Sequence, residues 1–107
     1  MSEKITKGSS NIFADLGFDN PEEYQAKADI ALEIVEIIAQ RKLTQKQAAA
    51  LIGAVQPDIS KLKSGQLKGF TLDRLVSFVR RLDRNVEIRI TKSKKKGKTG
   101  TLATVAA

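Results

Sequence analysis

Apolar residues recur along this chain at two different periods, and the breaks between periods divide it into elements. Between residues 24 and 38 they fall at 24, 28, 31, 35 and 38 and at 30, 34 and 37, the spacing of a helix with a broad buried face. Asn20-Pro21-Glu22-Glu23 marks its start: a capping residue type, proline at the first helical position and glutamate at the third. The helix is expected to run to about Arg41. Upstream, Ile12, Phe13 and Leu16 are spaced for one helical turn that Gly17 is placed to end. Thr44-Gln45-Lys46-Gln47 reads as a capping box opening a second helix, with Ala48, Leu51 and Ile52 on its inner face and Gly53 as its stop. A third helix begins near Gln56-Pro57 and ends before Gly65, since proline is tolerated in a first turn. A fourth starts at Thr71, where Phe70 and Leu75 form a hydrophobic staple, and Leu72, Leu75, Val76, Val79 and Leu82 mark its buried stripe.

After Asp83-Arg84-Asn85 the period falls from 3.6 to 2. Val86, Ile88 and Ile90 alternate with Glu87 and Arg89, which predicts a short strand. Residues 92–107 hold five lysines and then no pattern, so a disordered basic tail is expected there, and residues 1–10 read as a flexible leader. The folded domain is then 11–91, all-α with four to five helices and one short C-terminal β-strand.

Composition narrows the chemistry. Among 107 residues there is no cysteine and no histidine, which removes disulfides, thiol chemistry, imidazole metal sites and the commonest acid–base catalyst near neutral pH. No phosphate loop or nucleophile elbow appears, so an enzyme is the least favoured class and no cofactor or metal is implied. The most apolar run, Ile30–Ala39, is too short for a membrane span and carries Glu33 and Glu36. With no apolar leader at Met1-Ser-Glu-Lys, a cytoplasmic location is the simplest expectation. The net charge of +7 hides an asymmetry: three lysines against eight acids in 1–40, sixteen basic residues against four acids in 41–107. A basic half of that kind suits a polyanion, because neutralised phosphates release counterions. RNA recognition usually uses exposed aromatics for stacking, and the five here sit at apolar or cap-flanking positions.

The segment that changes the picture is 45–64. Two short helices joined by a tight turn must cross closely. Ala49 is small where the next helix presses, Gly53 can adopt the left-handed backbone of the turn, and Ile59 and Leu62 point the third helix inward. That leaves Gln56, Pro57, Asp58, Ser60, Lys61 and Lys63 outside, most of them types that reach bases and phosphates. Val55 stands where a serine or threonine cap is common, and Asp58 puts a negative charge where phosphates would lie.

With Gln45, Ala49, Gly53, Gln56-Pro57, Ile59, Ser60-Lys61, Leu62 and Gly65 at these spacings, the segment resembles the helix-turn-helix of the lambda-repressor/Cro type, the xenobiotic-response-element family. The resemblance implies a recognition helix from about Pro57 to Lys63 in the major groove of operator DNA. Gln56, Pro57, Asp58, Ser60 and Lys61 then face bases, while Gln45, Lys46, Lys63 and Ser64 face phosphates; Lys61 can serve either role. Glutamine pairs with adenine through two hydrogen bonds in that groove, and an aspartate there either accepts from a cytosine amino group or weakens binding. More widely, Ile12-Phe13 to Phe18, the long helix, the motif, Phe70-Thr71 to Leu75 and Val86–Ile90 together resemble the HigA-type antitoxin branch over about residues 9–90. That likeness implies a repressor of its own operon and, as a partner, a RelE-like ribonuclease toxin.

Two further features bear on partners. Val86, Glu87, Ile88, Arg89 and Ile90, paired antiparallel with a second copy about Ile88, set Glu87 opposite Arg89 twice and suggest a homodimer. Glu22, Asp29, Glu33 and Glu36 share one stripe of the long helix without a cation, either a solvated face or a surface for a basic protein. Sequence-specific duplex DNA binding is therefore the expected function. The rival is a protein-interaction module that neutralises a basic toxin with little specific DNA binding.

Overall fold

The computed structural model describes residues 3–4 and 20–106. The helical turn expected at Ile12–Leu16 lies outside them. The long helix, α1, spans Pro21–Gln40 and opens with Tyr24 N–H donating to Asn20 O at 3.0 Å. Asn20 does not cap it as the sequence suggests. Its side-chain amide donates to Glu23 Oε1 at 3.5 Å, so the carboxylate rather than the asparagine oxygen is engaged. Glu22 and Glu23 still sit in the first turn, where the helix dipole favours them. Ala26, Ala31, Ile34, Ile37 and Ile38 make the buried face, with Tyr24, Ala28, Ile30 and Val35 packed at its margins.

α2 (Gln45–Ile52), α3 (Gln56–Ser64) and α4 (Leu72–Arg81) follow at the expected places. The Thr44–Gln47 capping box is complete: Gln47 N–H donates to Thr44 Oγ1 at 3.0 Å and Thr44 N–H to Gln47 Oε1 at 2.9 Å. Thr71 Oγ1 caps α4 by accepting from Arg74 N–H at 3.1 Å, and the staple pair Phe70 and Leu75 is buried. The stripe of α4 differs from the sequence pattern at one step. Phe78 is buried while Leu72 and Val76 are only half-buried, because Phe78 meets Phe70 edge-on at 6.1 Å between ring centroids. α1 packs against α3 and α4, and α2 against α3 and α4, around a core whose most enclosed members include Ile34, Ile38, Ile52, Ile59, Leu67, Leu75 and Leu82.

The C-terminal region departs most from expectation. Val86–Ile90 forms no strand; the segment has no partner edge among the described residues, and Ile88 and Ile90 are 82% and 92% exposed. The only ladder among the described residues joins β1 (Glu3–Lys4) and β2 (Val105–Ala106), antiparallel, with Glu3 opposite Ala106 and Lys4 opposite Val105. The chain past residue 92 therefore does not simply trail away. It returns to α1, where Thr104 donates its hydroxyl to Asp29 Oδ2 at 2.9 Å.

Candidate nucleic-acid interface

The turn between α2 and α3 is built by Gly53, whose φ of +75° is the left-handed region that a Cβ disfavours. Ala54 N–H reaches back to Ala49 O at 2.9 Å and closes α2, after which Val55 is extended and α3 begins. Ala49 is buried beneath this crossing, and Ile59 and Leu62 are the buried residues of α3. The four positions read as motif core, Ala49, Gly53, Ile59 and Leu62, thus occupy the crossing.

The opposite face of α3 is open. Gln56, Pro57, Ser60, Lys61, Lys63 and Ser64 are all exposed, as is Lys46 on α2, while Gln45 is half-buried at the start of α2. Ser60 Oγ donates to Gln45 Oε1 at 3.4 Å, so the start of one helix is tied to the middle of the other across the presented surface. Ser64 turns back instead: its hydroxyl donates to Lys61 O at 3.3 Å at the end of the helix.

Asp58 is placed differently from its expected base-facing role. Its side chain is 14% exposed, and its Oδ2 accepts both Val55 N–H at 3.3 Å and Arg74 Nη2 at 3.1 Å. Val55 has no side-chain oxygen to offer the helix, so only the reciprocal half of a capping box exists, with Asp58 reaching back. The Arg74 guanidinium lies 5.1 Å from the Phe70 ring centroid and 5.3 Å from that of Phe78. Carboxylate, guanidinium and two rings thus join α3 to α4, and Asp58 leaves the base-reading set for the support of the helix. Sequence reasoning missed Arg74, which lies 16 residues from Asp58 with no local spacing to betray the pair.

The acidic stripe is thinned in the same way. Asp29 is 4% exposed, held by Gln25 Nε2 at 3.0 Å and by Thr104, whereas Glu36 is exposed and Glu22 and Glu33 are half-buried. Asp29 is therefore no part of a docking surface in this conformation. Glu87 and Arg89, expected to face a second copy, pair with each other at 3.3 Å along one edge of their segment.

Two short helices crossing at a left-handed glycine, the second with its outer face bare and basic, define a helix-turn-helix domain. The chain matches a family model described as a helix-turn-helix domain over residues 12–91. It is similar to a solved structure titled as an XRE-family transcriptional regulator, at 35% identity and a TM-score of 0.75, the match covering 82% of this chain and 99% of that one. No curated protein matches it. The chain belongs to the helix-turn-helix domain family, a class of non-enzymatic DNA-binding regulators. Among its described residues no helix is long and apolar enough to cross a membrane.

Proposed function

We propose that this protein binds duplex DNA sequence-specifically as a homodimer and represses transcription, including that of its own operon. The observation that carries the reading is the outer face of α3, where Gln56, Pro57, Ser60 and Lys61 stand exposed and Lys46, Lys63 and the Ser60–Gln45 bond border them. In this arrangement α3 enters the major groove, Gln56 addresses an adenine edge, and Gln45, Lys46, Lys63 and Ser64 meet the phosphates on either side. Binding to the intergenic DNA upstream of the gene, compared with a scrambled duplex, tests it. Gln56→Ala is expected to lose about 1–3 kcal/mol on the cognate site and little on the scrambled one. Equal losses on both would remove Gln56 from the readout, and no preference for the upstream DNA in the wild type would sink the operator reading.

The homodimer is supported by the exposed Val86–Ile90 segment, whose alternating apolar residues are uncovered and whose Glu87 and Arg89 are complementary to a second copy in the antiparallel register about Ile88. The antitoxin role rests on the HigA-type resemblance. With Asp29 buried, only Glu22, Glu33 and Glu36 remain of the surface that would greet a RelE-like toxin, so the regulator reading is the stronger. Co-purification with the product of the neighbouring gene decides the antitoxin role separately.

A further inference from the structure

Val55 is an N-cap residue with nothing to cap with. The residue is 60% exposed and its side chain makes no hydrogen bond to the first turn of α3, where only its carbonyl accepts Asp58 N–H at 2.9 Å, at a position usually held by serine, threonine, asparagine or aspartate. An apolar side chain left in water at the leading end of the presented helix brings no packing to the core. Its backbone is nonetheless fixed. φ and ψ are −111° and 160°, and its amide is held by Asp58, itself held by Arg74 over two aromatic rings.

We propose that Val55 is a specificity-determining residue that reads the C5-methyl group of a thymine, beside the adenine addressed by Gln56. The inference rests on the duplex-binding reading above and deepens it. In the major groove the thymine methyl is the one apolar feature of a base edge, and it is matched by apolar contact rather than by a hydrogen bond. Val55 supplies that contact immediately before Gln56, and exposed Pro57 immediately after, so the amide of Gln56 is flanked by two surfaces that no phosphate or base amino group rewards. Asp58 and Arg74 act as positioning residues: they keep the Val55 backbone extended, so the isopropyl group meets the DNA in one pose without an entropy loss at the moment of binding.

The test uses the full chain. Duplexes bound from a random pool give the preferred site, and each thymine in it is then replaced singly by deoxyuridine, which lacks only the methyl group. At one thymine per half-site, the wild type is expected to lose about fourfold in affinity, the worth of one methyl withdrawn from water. Val55→Ala, which keeps one methyl group on a shorter side chain, is expected to shrink the difference between thymine and uracil at that position while keeping its penalties elsewhere. Val55→Ser separates reading from stability, since a serine cap raises the melting temperature yet removes the methyl dependence. If every thymine-to-uracil penalty is the same in wild type, Val55→Ala and Val55→Ser, the inference is overturned and duplex reading stands. If no sequence is enriched from the pool, duplex reading fails and the inference fails with it.

Discussion

The two ends of the basic half are built on opposite plans. In the helix-turn-helix region every exposed functional side chain is backed by something buried: Gln56 and Ser60 ride on a helix pinned by Ile59 and Leu62, and the start of that helix is held by Asp58 and Arg74. In the arm after Leu82 the apolar residues themselves are exposed. Val86, Ile88 and Ile90 have no core to enter, and the ion pair between Glu87 and Arg89 joins two solvent-exposed side chains. Groups that must read DNA with fixed geometry need a rigid support under them. In the proposed homodimer the arm needs the reverse, an unpaired backbone edge and uncovered apolar surface.

The contrast can be broken at its strongest point first. Ile59 is fully buried beneath the crossing, so Ile59→Ala is expected to cost about 2–5 kcal/mol in denaturant unfolding and to abolish DNA binding with it. Ile88→Ala, a change of the same chemistry in the arm, is expected to stay within about 0.5 kcal/mol for the monomer. A loss at Ile88 comparable to that at Ile59 would show the arm packed in a way the exposed side chain contradicts.

Next in size is the clasp between α3 and α4. Arg74→Ala removes an ion pair and two cation–π contacts at a partly exposed site, for a combined cost of about 1–2 kcal/mol. Arg74→Lys is expected to recover less than half, because an ammonium cannot present a flat face to the rings and a fork to the carboxylate together. Thermal unfolding of both, with Asp58→Asn added to complete a double-mutant cycle, measures the coupling. Thr44→Ala, which deletes the capping box of α2, is expected to cost about 1 kcal/mol by the same measurement.

The smallest effect lies in the arm and sharpens the comparison rather than breaking it. Glu87→Arg should shift dimer toward monomer in sedimentation by a few tenths to about 1 kcal/mol, with Arg89→Glu added to restore it. The single change is expected to leave the melting of the helical domain where it was. A double variant as monomeric as the single one would rule out the register centred on Ile88.

How legible each region was in the sequence follows from the range of the interactions that make it. The four main helices, the Thr44–Gln47 box and the Gly53 turn are set by residues within four or five positions of one another, and spacing shows such signals directly. The outward face of α3 followed from the inward one. The Asp58–Arg74 pair did not, because nothing local distinguishes an aspartate aimed at DNA from one aimed at the next helix. Asp29 was misplaced for the same reason: on the helix it joins an acidic stripe, and one of the groups that hold it as a buried acceptor is a threonine 75 residues away. At Val86–Ile90 the alternation was real in the sequence, but a strand is a relation between two segments, and no second segment lies beside this one among the described residues.

That distant threonine also sets an order of events. The helical domain packs elements that all lie between Pro21 and Leu82, whereas the Thr104–Asp29 bond and the β1–β2 ladder close loops of most of the chain's length. Closing such loops costs entropy that a two-residue ladder and one side-chain bond offset only narrowly. These links should therefore form after the helices in folding and open before them at equilibrium, as a separate cooperative unit. Each opening would bare the Asp29 carboxylate to water while the recognition face remains folded. In native-state hydrogen exchange, the amides of Val105 and Ala106 should exchange orders of magnitude faster than those beneath Ile59, with Thr104→Val widening the gap by loosening the arm alone.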